Sequence, residues 1–319
     1  MPEWMRAVSQ RVFGGPEVLE LVQTRRPEPG PGEVLIRVHA AGVNASDCKV
    51  RAGKVPVFGD PPFTVGVDVA GVVEATGDQV VQFTPGDKAY GMVFPPRGAY
   101  AEYVVASADA LAIPPAGLDH IQSAALPLSA LTAWQALVNT AALAAGQRVL
   151  VHAAAGGVGH LAVQIAKSRG AYVIGTARAV NHPFLYELGA DELIDYTRTD
   201  FAAVVHDVDV VLDTVGGDYG LRSVDTMTPG GLLIDVMGTT GAGIERDRAR
   251  DIATARGIRF TEFYVTPSRA DLQDINTLVE SGKLQVTIQE VLPLKEAAQA
   301  HAISETGHTQ GKIVLSVAS

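Results

Sequence analysis

A turn almost without side chains joins a β-branched segment to an amphipathic one in the run Leu150-Val151-His152-Ala153-Ala154-Ala155-Gly156-Gly157-Val158-Gly159-His160-Leu161. Val158, Leu161, Ala162, Ile165 and Ala166 recur at helical spacing, and Gly170 is placed as a C-cap. The spacing predicts a helix from Val158 packed by one face on a sheet, preceded by a strand from Arg148 to Ala153. The first turn of such a helix leaves backbone N–H groups unpaired at the positive end of its dipole. Gly156 and Gly157 would let a pyrophosphate approach those donors. Ala154-x-Gly156-x-x-Gly159 is the dinucleotide-binding fingerprint with Ala in first place. A second strand, Ala171 to Ala177, follows as a βαβ crossover requires. A Gly-rich turn in a cofactor-free α/β domain has the same local form and is the alternative.

The residue after the second strand separates the two nicotinamide cofactors. An acidic side chain about 20 positions beyond the fingerprint would bond a free ribose 2′-hydroxyl, but this place holds Arg178. A guanidinium suits a 2′-phosphate, so NADP(H) is the expected cofactor. Thr176 lies in the same strand end. Tyr196, closing a third short strand from Glu192, could lie against the adenine or bond the same phosphate. Open α/β sheets bind ligands at the C-terminal ends of their strands. That rule adds Val215 after the fourth strand, and Met237 and Gly238 after the fifth.

With 319 residues, 47% of them hydrophobic, the chain can build two ordinary domains. A net charge of −10 and no run of Lys and Arg argue against a nucleic-acid surface. One cysteine, Cys48, rules out an intramolecular disulfide framework and fits a reducing compartment. Met1 to Arg6 lacks a charged head followed by an apolar stretch, so a secretory signal is not expected. The most apolar span, Ser123 to Ala145, is interrupted by Pro127, Ser129, Thr132, Gln135, Asn139 and Thr140, which suits buried helices better than a bilayer. A cytoplasmic protein without membrane partners is the expectation.

Early in the chain, short strands are cut by Gly and Pro: Met5 to Ser9, Leu19 to Gln23, Val34 to Ala41, Val65 to Ala75 and Ala99 to Val105. An antiparallel, partly closed barrel is predicted over 1–122. Over 123–267 helices alternate with strands at Val149, Val173, Leu193, Val210, Leu232 and Ile258, the pattern of a doubly wound, six-stranded α/β sheet. The segment 268–319 reads as a helix from Arg269 to Glu280, a strand from Gln285 to Val291, a helix near Leu294 to Ile303 and a closing strand from Lys312 to Val317. It is expected to return and complete the first domain, leaving a cleft between the two.

Several separated segments together resemble the medium-chain dehydrogenase/reductase superfamily, in its zinc-independent NADPH:quinone oxidoreductase branch. They are Ala40-Ala41-Gly42-Val43-Asn44-Ala45-Ser46-Asp47, Gly66-Val67-Asp68-Val69-Ala70-Gly71-Val72-Val73, Gly98-Ala99-Tyr100-Ala101-Glu102-Tyr103, Ala125-Leu126-Pro127-Leu128 with Leu131-Thr132-Ala133-Trp134, and the fingerprint. The resemblance spans essentially the whole chain. It implies a GroES-like catalytic domain beside a Rossmann domain, reduction of quinones or enones by NADPH, and a homodimer. It also implies Asn44 near the nicotinamide and the substrate carbonyl, where its amide could donate to a developing oxyanion. Closure of the turn after the preceding strand is the structural alternative for Asn44. Thr132 matches a threonine at the nicotinamide end, and Lys312 a residue that closes over the cofactor in some relatives.

Zinc relatives carry a cysteine near position 44 and a histidine at position 67, where this chain has Asn44 and Val67, and one cysteine cannot supply a four-cysteine site. No metal is therefore expected. Without a Lewis acid, alcohol oxidation loses its means of stabilising alkoxide, whereas a quinone or activated C=C needs none. Lys49 stands where several relatives have tyrosine. It could bond the oxyanion or protonate the α-carbon, with an exposed structural lysine the alternative. Asp47 is expected to hold local backbone or to pair with Lys49 or Arg51. Cys48 is either a packed thiol or a reactive one. His152 and His160 are read as positional. The overall expectation is hydride transfer from NADPH to a quinone or an α,β-unsaturated carbonyl. An enoyl-thioester or polyketide-type reductase and a non-catalytic NADPH-binding protein are the alternatives.

Overall fold

The computed structural model describes residues 3–55 and 57–317; Met1 and Pro2 of the start segment lie outside them. The chain divides into two units, one formed by 1–131, 266–281 and 286–319, the other by 132–265 with 282–285. The first division falls inside the helix Pro127–Trp134 rather than at 122/123, and the second at 265/266 rather than 267/268. Leu128 donates its N–H to Asp68 at 2.8 Å, which ties the start of that helix to the first unit. Residues 282–285 join the second unit because the Gln164 side chain brackets the backbone of Gln285, donating to its carbonyl at 2.9 Å and accepting its N–H at 2.8 Å.

Strands run in chain order β1 (Trp4–Gln10), β2 (Glu20–Arg25), β3 (Glu33–Val43), β4 (Phe63–Thr64), β5 (Asp68–Thr76), β6 (Lys88–Met92), β7 (Tyr103–Ser107) and β8 (Leu111–Ala112). The second unit contributes β9 (Arg148–Val151), β10 (Tyr172–Ala177), β11 (Glu192–Asp195), β12 (Val208–Asp213), β13 (Met227–Asp235) and β14 (Arg259–Glu262). The returning segment adds β15 (Ile288–Pro293) and β16 (Lys312–Ser316) to the first unit. β15 starts later than its apolar pattern suggested, since Gln285 is engaged by Gln164.

In the first unit a seven-stranded sheet has the order β15-β16-β3-β5-β6-β8, with β7 also on β3, beside a smaller sheet β2-β1-β4. The long strand β3 organises it. Its first half takes β7 and its second half β16 on one side, while β5 runs along the other. Alternate residues Val34, Ile36 and Val38 point into a core with Val69, Val73, Ile313 and Leu315. Every one of these pairings is antiparallel except β15 with β16. β5 begins at Asp68 rather than Val65 because Gly66, at φ 95°, breaks the extended run where the Tyr100 ring leaves no room for a Cβ.

The register brings three chain segments to one sheet end. Gly42 lies opposite Val314 on one side and Asp68 on the other, so Asn44, Lys312 and Asp68 meet just beyond it. A Cβ at Gly42 would sit 2.9 Å from Cβ of Asp68 and would also strike the carbonyl of Ala124. Only a glycine lets these groups close together.

The second unit is a parallel six-stranded sheet, order β11-β10-β9-β12-β13-β14. The chain moves outward from β9 to β11, then restarts with β12 on the other side of β9. This places the switch point where doubly wound sheets receive ligands directly over the Gly-rich turn. Leu150, Ile174, Val211 and Leu233 form its core with Phe201 and Ala253.

Gly42→Ala should cost roughly 1–3 kcal/mol, the usual penalty for overpacking. Urea unfolding of the variant against the parent measures it, and equal midpoints would contradict the close approach.

Candidate active site

The helix Ala45–Arg51, not foreseen as an element, starts at Asn44, whose extended backbone ends β3. Asp47, three residues on, accepts the Asn44 backbone N–H at 2.9 Å. This acidic residue at the third helical position is a capping signal that was legible in the sequence. With its backbone satisfied by Asp47, the Asn44 side chain is free to turn toward β5 and β16.

There it is gripped at both ends. Nδ2 donates to Asp68 Oδ2 at 2.9 Å, and Oδ1 accepts from the Lys312 ammonium. Lys312 also donates to Ser129 Oγ at 3.2 Å and pairs with Asp68 at 3.6 Å. All four side chains are buried, Asp68 completely. A buried charge survives only when paired and hydrogen-bonded, and here each is. Burial pushes the Asp68 carboxyl up while Lys312 and Asn44 pull it back; burial lowers the Lys312 ammonium while Asp68 supports it. Asp68 and Ser129 were not foreseen as site residues. A lone acid between Val67 and Val69 in an apolar strand was the available signal.

Behind Asn44 a second chain of polar groups leads outward. Asp47 accepts the Tyr100 hydroxyl at 3.2 Å, and Tyr100 lies 3.2 Å from His301 Nε2. Arg51 Nη1 lies 3.2 Å from His301 Nδ1 and its other end pairs with Glu305. A guanidinium can only donate, so Nδ1 accepts, Nε2–H donates to Tyr100, and the tyrosine proton is left for Asp47. Burial, aided by Arg51, holds His301 down to about 3, so it is neutral. Burial first, and then the charge of Asp68, pushes Asp47 up to about 7 against the pull of the Asn44 N–H and Lys312. Asp47 therefore holds local backbone and Tyr100, while Arg51 pairs elsewhere. Cys48 is a packed thiol, pushed up to about 12 mainly by burial. Lys49 is half-buried at the end of the helix and has a partner of its own; of the two lysines, Lys312 is the one bonded to Asn44.

In the second unit the turn after β9 leads into the helix Gly159–Ser168. Gly156 donates its N–H to the Ala153 carbonyl at 2.9 Å, so that donor is used within the turn. The N–H groups of Gly157, Val158 and Gly159 make no backbone hydrogen bond among the described residues. They form the opening of a ten-residue helix, where an anion is favoured. A Cβ at Gly159 would fall 2.7 Å from Cα of Ala154, so the start of the helix lies too close to the preceding turn for any side chain there.

Thr176 is buried, its hydroxyl 3.1 Å from His152 Nδ1 and 3.3 Å from the Ala153 N–H. It shapes the turn from behind. His152 also lies 2.8 Å from Ser223 Oγ, and burial, with Arg222, lowers it to about 3; the ring is a neutral spacer. His160 is likewise positional, 2.8 Å from the Gly156 carbonyl. Ala177 and Asp195 pair in register, so Arg178 and Tyr196 follow side by side at the ends of β10 and β11. Arg178 is half-buried and Tyr196 exposed, and Arg178 makes no ion pair among the described residues.

The loops after β12 and β13 are braced by the acids that end those strands. Asp213 accepts the N–H groups of Val215 and Gly216, both at 2.9 Å, and Asp235 accepts that of Met237 at 2.8 Å. Burial pushes Asp213 up to about 6. The buried Arg246 donates to Asp235 and to the Gly238 carbonyl, both at 2.6 Å. Nothing in its charged helix distinguished Arg246 beforehand. Val215 remains exposed, and Thr132 is buried in the helix Pro127–Trp134 with a partner of its own. Among the described residues no group of three or more His, Cys, Asp or Glu side chains is placed to hold a metal ion, and no helix is long and apolar enough to cross a membrane.

Two family models match: the alcohol dehydrogenase GroES-like domain over 30–116 and the zinc-binding dehydrogenase over 188–315. A quinone oxidoreductase from Pseudomonas aeruginosa is 36% identical over 95% of this chain and 97% of its own. A 2-haloacrylate reductase from a Burkholderia species is 34% identical over 95% and 96%. The solved Escherichia coli quinone oxidoreductase complexed with NADPH superposes with a TM-score of 0.89 at 31% identity, over 98% and 99% of the two chains. The chain belongs to the medium-chain dehydrogenase/reductase superfamily, among its quinone oxidoreductases. It is accordingly an NAD(P)H-dependent oxidoreductase with a GroES-like domain and a Rossmann sheet.

Asp47 gives the site a pH signature. In the folded chain it keeps its proton up to about 7, against an ordinary 3.8, so across that window the folded state binds more protons than the unfolded one. Its contribution to stability is present at the acid end and lost as pH rises toward 7. Relative to Asp47→Asn, the parent should therefore lose stability between about pH 4 and pH 7 in urea unfolding. A parent-minus-variant difference that is flat or rises would contradict this.

Proposed function

We propose that the protein transfers hydride from NADPH to a quinone or to the β-carbon of an α,β-unsaturated carbonyl, without zinc. The observation that carries this reading is the set of N–H donors at Gly157, Val158 and Gly159, without a backbone partner among the described residues, over the switch point of the parallel sheet. Those donors suit a pyrophosphate, and Arg178 with Tyr196 suits an adenosine 2′-phosphate. Val215, Met237 and Gly238 complete the cofactor-binding groups on their braced loops.

The bound cofactor would supply the hydride; the residues of this chain supply binding and charge stabilisation. Asn44 donates its remaining Nδ2–H to the acceptor oxygen as negative charge gathers on it. Thr132 stays assigned to the nicotinamide end. Lys49 and water are the available proton sources for the carbon or oxygen left anionic. The zinc-free reading is supported by Asn44 and Val67 at the positions of zinc ligands and by the Lys312 ammonium, which lies against Asn44 and Asp68 and would repel a second cation there. The names of the relatives, a quinone oxidoreductase and a haloacrylate reductase, support both acceptor classes.

Purified protein should oxidise NADPH when given 1,4-benzoquinones, enones or enals; no turnover with any of them overturns the assignment. Arg178→Asp should raise the KM for NADPH roughly ten- to hundredfold, as expected for loss of a charge-assisted pair, and leave that for NADH nearly unchanged. Equal effects on the two would remove the 2′-phosphate role.

A further inference from the structure

The grip on Asn44 fixes more than its position. An ammonium can only donate and a carboxylate can only accept, and they hold opposite ends of one amide. The amide therefore has a single orientation, with its oxygen on Lys312 and its nitrogen on Asp68. One hydrogen of Nδ2 is left without a partner among the described residues. The ammonium donates to Asn44 and Ser129 and pairs with the Asp68 carboxylate at 3.6 Å, so its buried charge is already engaged by groups of its own sheet end. A cation on an amide oxygen draws electron density from the nitrogen and strengthens its N–H as a donor, the more so in a dry surrounding.

We infer that Lys312 is a positioning residue of the reduction, acting through the Asn44 amide, which it orients and polarises toward the acceptor oxygen, rather than by holding the cofactor. This rests on the assignment of Asn44 as the donor to that oxygen.

The test is a double-mutant cycle with Asn44→Ala. Lys312→Met alone strands the Asp68 carboxylate in the interior, so it is paired with Lys312→Met/Asp68→Asn, which removes both charges and keeps an acceptor for Leu128. The expected result is a kcat lower by roughly 10- to 100-fold, the scale of a misplaced donor, at an NADPH Kd changed by less than about threefold. In the Asn44→Ala background the same changes should cost less than about threefold more. A Kd for NADPH raised tenfold or more with kcat retained at saturation would return Lys312 to the cofactor and overturn the inference. An equal loss with and without Asn44 would overturn it too. An Asn44→Ala variant with unchanged kcat would remove the role of Asn44 itself, and the inference with it, while leaving NADPH-dependent turnover standing.

A readout independent of turnover comes from the side-chain amide resonances of Asn44 in selectively labelled, cofactor-free protein. They should shift upfield and exchange faster with solvent in Lys312→Met/Asp68→Asn; unchanged resonances would count against the inference.

Discussion

The antiparallel seating of β16 on β3 is the constraint on which the first unit of the molecule depends. Four backbone pairs, Ile313 with Val43 through Ser316 with Ala40, fix the register. A slip of one residue would turn every side chain of the strand to the opposite face. The register that buries Ile313 and Leu315 is also the one that delivers Lys312 to Asn44, 268 positions earlier in the chain. Packing and chemistry are thus set by one pairing.

Charge is managed around this point by mutual satisfaction rather than by exposure. Asp68 faces Lys312, Asn44 and the Leu128 N–H; Asp47 faces the Asn44 N–H and Tyr100. Replacing one partner would leave the other as an uncompensated buried group, which is far more costly than never having the pair. The same device recurs in the second unit. There Asp213 and Asp235 fold back under the loops that follow them, and Arg246 clamps the second of these. In both units a buried carboxylate holds the backbone of a neighbouring segment in place.

Where local pattern decides structure, the sequence was readable. The Gly-rich turn, the alternation of strand and helix that builds the six-stranded sheet, and the helix Arg269–Glu280 with Ser268 at its cap all follow from spacing and end signals. The helix Ala45–Arg51 was hidden because Ser46, Asp47 and Cys48 are weak helix formers, although Asn44 and Asp47 mark its start. Choosing between Lys49 and Lys312 as the neighbour of Asn44 depends on strand register, which no local pattern encodes. The inward hydroxyl of Thr176 and the clamp by Arg246 are likewise tertiary facts. Each depends on what the rest of the chain places opposite it.

The interleaving of the two units has a bearing on biosynthesis. The second unit is nearly one stretch, 132–265, and needs only residues 282–285 to finish it. The first begins earlier but lacks β15 and β16 until the chain has been made through residue 316, beyond the whole of the second unit. Domains generally fold as units during translation, so the later-encoded sheet can mature while the earlier one waits, with the edge of β3 open. The Asn44 amide gains its ammonium partner only after the whole second unit has been made.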